Sequence, residues 1–504
     1  MADSRQMATE PAQDERYDLP AGWVWASLGE VIDLKYGKGL PAKSRNLSGQ
    51  TPVYGSNGIV GYHDKALTSS PVIVVGRKGS VGEVHISSTR CWPIDTTYFI
   101  DNFPLGLDAT FLFQYLRSQK IRDLDRSTAV PGINRGDLYR MPFPLAPFGE
   151  QRRIVTKIEA LFEQSRTARQ ALDRIPPLLK KFRQSALAAA FRGDLTRDWR
   201  EQNSDIEPAS VLLEHIRTER RRKWEEEFRA RGKDPRKAKY KEPAPVDHNG
   251  LENLPEGWEY TTVSEVGSLN GDPVLTGPFG AQLPSKEFVL EGVPVIAIGN
   301  VMWGNLRLEK VDHVTQEKAL KLSRYTLQPG DVLFTRSGTV GRSAVVPEYA
   351  KGWLMSYHLL RARVEKSVCD PTYLYFVFRG LLTIQDQITE TARGATRPGF
   401  NTLLLKQLRL PLPPMDEQQR IVTRIEELFG RADAIAAVVE AARQRADKLD
   451  QSILARAFRG ELAPQDPNDE PASSLLERIR AERTKGGITK GRRPSRQRDG
   501  QNVI

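Results

Sequence analysis

The chain has 504 residues but only two cysteines, Cys91 and Cys369, and neither sits in a CxxC pair. That is too few for a disulfide framework and lacks the spacing of a metal knuckle, so a reducing, cytoplasmic setting is expected. The opening residues, MADSRQMATEPAQDE, are polar and acidic, and no signal peptide is expected from them. No apolar run approaches the roughly eighteen residues needed to cross a bilayer. Six scattered histidines form no HExxH or HxH pair, so no metal site is expected. The GxxxxGK[ST] phosphate cradle is missing, and Gly37-Lys38-Gly39 lacks dinucleotide-binding spacing and reads as a turn. There is no GxSxG elbow and no cysteine with a nearby histidine. The expectation is a non-catalytic chain with no cofactor of its own, although an acid pair hidden by the fold stays open.

What is present is a repeat. EQRRIVTKIEALF (150–162) returns 267 residues later as EQQRIVTRIEELF (417–429), identical at ten of thirteen positions. The same offset carries AFRGDL (190–195) onto AFRGEL (457–462) and Pro131-Gly132 onto Pro398-Gly399. LPAGW (19–23) recurs as LPEGW (254–258) at an offset of 235, and EPASVLLEHIRTER (207–220) as EPASSLLERIRAER (470–483) at 263. Matching words in one order with drifting offsets indicate tandem domains whose loops differ in length; the period is far too long for a solenoid. The length agrees, allowing about two to four domains with real cores.

The repeated segments carry a heptad seam. Ile154, Ile158, Leu161, Ser165, Ala168, Leu172, Ile175, Leu179, Phe182 and Ala186 alternate steps of four and three. Ile421, Ile425, Leu428, Ala432, Ile435, Val439, Ala442, Ala446, Leu449 and Ile453 keep the same register. Such a sustained seam predicts coiled-coil helices, each of roughly 44 residues and about 65 Å. Equal length and register favour mutual antiparallel pairing into a rod with one globular domain near each end. Two helices packed independently on their own domains remain the alternative. Pro176 and Pro177 interrupt the first seam, so a kink or short break is expected there.

Before each helix the texture changes to short β-rich runs cut by glycine. Residues 72–75 with 81–86, and 332–335 with 339–346, read as strand pairs, followed by short helices at 111–119 and 373–381. The fold class is therefore α+β, or mixed α/β. The expected organisation starts with a disordered segment (1–17), a first globular domain (18–147) and a helical region (148–228). A charged linker (229–252), a second globular domain (253–414), a second helical region (415–484) and a disordered basic tail (485–504) follow. Net charge is +11 with a pI near 9.5, which favours a polyanionic partner.

The LPxGW opening, the β-rich domain, the junctions PLAPFGEQRRIVTKIEALF and PLPPMDEQQRIVTRIEELF, and the AFxGxL helix end, all twice over residues 18–483, resemble the specificity subunit of type I restriction-modification systems. The resemblance implies two target-recognition domains that each read half of a split, asymmetric DNA site. It implies partners too: two modification subunits that use S-adenosylmethionine to methylate adenine N6, and restriction subunits that use ATP and Mg. The chain's own Pro-Pro pairs, IPPL (175–178) and LPPM (412–415), lack the Asn or Asp and following aromatic of an adenine methyltransferase loop. A basic insertion around 217–241 departs from the second copy. A coiled-coil scaffold that ignores DNA and a stand-alone endonuclease with an unrecognised site both remain alternatives.

Base edges are read by loop donors and acceptors such as Arg, Asn and Gln. The candidates are Ser56, Asn57, Arg77, Lys78, Asn134 and Arg135 in the first domain, and Asn300, Arg336, Ser337, Arg393, Arg397 and Asn401 in the second. Each is also a candidate phosphate contact, which positions without specifying. The charged junction residues Glu150, Gln151, Arg152, Arg153 and Glu417, Gln418, Gln419, Arg420 are expected to be exposed and are candidates for partner docking. Helix capping and solvation is the competing reading of that stretch.

Overall fold

A computed structural model of the protein describes residues 17–46, 48–125, 131–240, 242, 246–279, 281–336, 341–380 and 400–488. The two ends expected to be disordered, 1–17 and 485–504, lie outside these residues except for Tyr17 and the end of a helix reaching Ile488. The longer helices, in chain order, are α1 (Ala109–Ser118), α2 (Phe148–Asp173), α3 (Ile175–Phe191), α4 (Ala209–Ala230), α5 (Pro371–Gly380), α6 (Met415–Phe458) and α7 (Ala472–Ile488). None of them is long and apolar enough to cross a membrane. The described residues up to Asp173, with those from Val439 onward, form one compact unit, and Arg174–Val438 forms the other.

In the first unit Val72–Gly76 lies inside a four-stranded antiparallel sheet, in the order Lys35–Tyr36, Thr97–Ile100, Val72–Gly76, Val84–Ser87. All five of its residues are buried. Ile73 and Val75 face a core with Phe111 and Leu112 of α1, while Val72 and Val74 face another with Tyr54, Cys91 and Phe99. Alternate residues of a strand point to opposite faces, so a strand covered on both sides reads as one unbroken apolar run. A second sheet, in the order Gly58–His63, Thr51–Gly55, Trp92–Pro93, ends in a parallel pair.

The second unit repeats this plan. Its four strands run Val274–Thr276, Leu359–Ala362, Val332–Thr335, Ser343–Val345, and its three run Asp312–Val314, Val293–Ile296, Leu354–Met355, again ending in a parallel pair. Burial pushes the Cys91 thiol up to about 11 and raises that of Cys369 further. Burial thus disfavours the thiolate, the nucleophilic form, at both.

The repeated words are exchanged between the copies. Ala457, Phe458, Ala472, Leu475, Leu476 and Ile479, from the second copy, share a core with Trp23, Phe111 and Ile154. Ala190, Phe191, Ala209, Leu213 and Ile216, from the first copy, share a core with Trp258, Tyr373 and Ile421. Identical backbone bonds seal both joints: Ala472 N donates to Gly22 O at 2.8 Å and Ala209 N to Gly257 O at 2.9 Å. Arg217 pairs with Glu265 at 2.5 Å, and Arg480 with Glu30 at 2.5 Å. Arg220 donates to Ser264 O and Arg483 to Gly29 O, the matching carbonyls.

Within the first unit, Arg169 pairs with Asp447 and Asp450, and Asp173 with Arg443; within the second, Arg183 pairs with Asp433. In the first unit α2 numbers rise as their α6 partners fall, the signature of antiparallel neighbours. Most seam residues are buried or half-buried, but Ala168, Phe182, Ile435 and Leu449 are exposed, against expectation. A straight helix drifts by about 20° per heptad from a 3.5-residue repeat, which carries individual seam positions off the contact line. The first seam breaks at Arg174, between α2 and α3. Pro176 and Pro177 then fall in the first turn of α3, where a missing N–H forfeits no intrahelical bond.

Candidate nucleic-acid interface

The junction motif builds the same joint twice. Trp23 Nε1 donates to Glu150 Oε2 at 2.8 Å, and Trp258 Nε1 to Glu417 Oε2 at 2.8 Å. Gln151 takes Asp108 N at 2.9 Å and donates to Ala146 O at 2.8 Å; Gln418 takes Asp370 N and donates to Pro413 O, both at 2.9 Å. These bonds tie the start of α2 to the N-cap of α1, and the start of α6 to the turn that opens α5. Glu150, Gln151, Glu417 and Gln418 are therefore buried, which corrects their expected exposure, because a carboxylate committed to a buried indole presents nothing to a partner. The copies differ in charge balance. Glu417 also receives Thr196 Oγ1 at 2.7 Å and Arg200 at 2.5 Å. Glu150 has one buried oxygen without a protein partner, and burial raises its pKa above the usual carboxylate value.

The remaining junction candidates do reach the surface. Arg152 and Gln419 are exposed, Arg153 pairs with Asp469 at 2.5 Å, and Arg420 lies 5.2 Å over the Trp199 ring. Gly149, Arg152, Arg153, Thr156, Lys157 and Ala160 line a cleft of about 520 Å³. The positions 267 residues on, Asp416, Gln419, Arg420, Thr423, Arg424 and Glu427, line another of about 690 Å³. The two units thus present a cleft at matching places.

In the first unit several base-reading candidates converge at the end of the Val72–Gly76 strand. Arg77 N donates to Thr96 O at 2.9 Å, its carbonyl accepts from Ile133 N at 3.1 Å, and its Nη2 donates to Asp95 O at 2.9 Å. The Arg77 and Arg135 guanidiniums lie 5.4 and 5.1 Å from the centroid of one ring, Tyr36, which is 51% exposed. Lys78 is exposed beside them, and Asn57 is exposed on the turn after Thr51–Gly55. Ser56, expected to face solvent, is buried, with its hydroxyl donating to Lys78 O and Thr96 O. Asn134 caps the helix Arg135–Arg140 through Gly136 N at 2.8 Å.

In the second unit Arg336 occupies the matching place after Val332–Thr335. Its N donates to His358 O at 3.1 Å and its Nη1 to Thr276 Oγ1 at 3.2 Å. Burial, then the Arg336 charge, lowers the pKa of His358. Asn300 is buried: its Oδ1 accepts from Ala297 N and its Nδ2 donates to Arg307 O, both at 2.9 Å, so it closes a turn rather than facing a ligand. Asn401 is exposed and caps Thr402–Gln407 through Leu404 N. Ser337, Arg393 and Arg397 lie outside the described residues.

Two further sequence signals bear on this site. Tyr36 sits between lysines in Lys35-Tyr36-Gly37-Lys38, a basic–aromatic interleaving. RKGSVG (77–82) recurs as RSGTVG (336–341), a short shared word inside largely divergent domains.

A family model described as the type I restriction modification DNA specificity domain matches residues 20–176 and 255–438. The EcoDI type I restriction enzyme specificity subunit of Escherichia coli is 27% identical over 488 residues, covering 94% of this chain and 98% of that protein. The EcoKI specificity subunit of Escherichia coli strain K12 is 28% identical over 401 residues, covering 77% and 74%. A solved structure described as the structural basis underlying complex assembly and conformational transition of the type I R-M system is similar in fold, with a TM-score of 0.61 at 22% identity, over 89% of this chain and 100% of that one. With the family model spanning more than half of the sequence, the chain belongs to the DNA specificity subunits of type I restriction-modification systems.

Proposed function

We propose that the chain recognises a bipartite, asymmetric site on double-stranded DNA, one half-site per recognition domain. It directs adenine-N6 methylation and ATP-dependent restriction performed by partner subunits in the cytoplasm, and catalyses neither. Two modification subunits bring S-adenosylmethionine and dock at the matching clefts on α2 and α6. Restriction subunits bring ATP and Mg. The observation that carries this reading is the contrast within each unit: the joint and cleft are repeated position for position, while the sheets beside them hold different side chains. Two copies of one partner need equivalent docking faces, and two different half-sites need different readers. α6 contributes residues to both units, and we read the repeated helices, which resist bending, as the element that sets the gap between half-sites. Groove phase repeats about every 34 Å, so a fixed gap also fixes facing.

The test is reconstitution. Purified chain mixed with DNA should neither methylate nor cut it. Adding the cognate modification subunit with S-adenosylmethionine should give methylation at one sequence. Metal-dependent cutting by the chain alone would establish the endonuclease reading instead.

A further inference from the structure

Like the PGxN word at 131–134 and 398–401, the word RKGSVG/RSGTVG is shared by the two recognition domains outside the joints. Its frame is the same in both. Gly76 N donates to Glu83 O at 2.8 Å and Thr335 N to Arg342 O at 2.9 Å; Gly82 N donates to Gly76 O at 2.9 Å and Gly341 N to Thr335 O at 3.1 Å. The opening arginine is pinned through its own N–H to the residue before the neighbouring strand, Thr96 or His358.

The first copy shows what this frame presents. Val81 is buried in the core as an anchor. Gly82 has φ +81°, and a Cβ there would fall 2.7 Å from Arg122 N, so glycine is required. The chain between Arg77 and Val81 is thrust outward: Lys78, Gly79 and Ser80 are all exposed, and a Cβ on Gly79 would meet open space. A glycine turn carrying an exposed ammonium and an exposed hydroxyl is suited to an anion of tetrahedral shape. Gly79 and Ser80 are too short to reach far into a groove, and Lys78 offers a point charge rather than a planar fork.

A feature common to two domains that read different sequences answers to something common to both half-sites. The sugar–phosphate backbone is such a feature. We propose that loop 77–82 is a phosphate clamp on the duplex backbone, that Arg336 serves the same purpose in the second domain, and that base discrimination falls to neighbouring residues the domains do not share. This rests on the DNA-reading function above and assigns the residues a positioning role within it.

The experiment uses the full chain reconstituted with its modification subunit, and measures binding to site-containing and scrambled duplexes across a salt series. Lys78→Ala and Arg336→Ala should each weaken both duplexes by the same factor. Each should lower the slope of log affinity against log salt by about one, with the methylated sequence and thermal stability unchanged. Lys78→Arg should restore affinity and slope. Loss confined to the site-containing duplex, with methylation relaxed at one base, would overturn the clamp in favour of base reading; unchanged affinity and slope would also overturn it. If the unaltered complex shows no site preference, the DNA-reading function fails. The clamp then still stands or falls on whether Lys78→Ala lowers affinity for nonspecific duplex.

Discussion

Trp258 donates its indole N–H to Glu417 at 2.8 Å, and Glu417 is at once held by Arg200 at 2.5 Å. Trp23 donates to Glu150 at the same distance, but there the second carboxylate oxygen is buried without a protein partner. One joint is charge-balanced and the other is not, and the two should respond differently to one substitution.

Glu417→Gln removes the anion that balances Arg200 in a buried site, at a cost of about 2–3 kcal/mol. Glu150→Gln keeps an acceptor for Trp23 and removes a penalised charge. It should be at least as stable as the native chain at pH 7.5, measured by urea unfolding.

The sign of the pH dependence follows. Burial raises the Glu150 pKa above its ordinary 4.5, so the native fold binds the proton more tightly than the unfolded chain. Its destabilising effect is full above the raised pKa and disappears as pH falls through 4.5. The advantage of Glu150→Gln should therefore shrink on acidification. Glu30 behaves oppositely: the Ser27 backbone N–H, followed by Arg480, holds it down to about 2. Its contribution is present above 4.5 and is lost between 4.5 and about 2. Comparing Glu30→Gln with the native chain over that range checks the sign.

Gly193 and Gly460 end the AFxG words in the left-handed region, at φ +77° and +73°. A Cβ would lie 2.6 Å from Pro255 Cγ and 2.3 Å from Pro20 Cγ respectively. Gly193→Ala and Gly460→Ala should each cost about 2–4 kcal/mol from backbone strain and overlap. Gly430, inside α6 with nothing within 4 Å of an added Cβ, is the control. Gly430→Ala should stabilise by about 0.5–1 kcal/mol, read by the same unfolding measurement.

Lys157 and Arg424 occupy matching places in the two clefts. The proposed docking of two modification subunits predicts that Lys157→Glu or Arg424→Glu alone leaves one bound, and the pair together none, as measured by light-scattering mass. Undiminished mass in the double variant would place docking elsewhere.

Local patterns were legible and distant partnerships were not. The helices opening at Phe148 and Met415 and the strands around Val72 and Val332 follow from spacing within a dozen residues. Glu150 reads as exposed because a carboxylate at a helix start is ordinarily solvated, whereas its partner Trp23 lies 127 positions away. The same holds at Asn300: a turn-closing asparagine and a base-reading one look alike until the turn is folded. Packing of the second copy's Phe458 against Phe111 at 5.2 Å depends on tertiary contact that no local period encodes.

The most direct test of the account is a map of methylated adenines in DNA exposed to the chain with its modification subunit. The account predicts one bipartite sequence with a fixed gap, methylated in both halves and only when both proteins are present. Methylation at a single undivided sequence, at halves with variable gaps, or without this chain would contradict it.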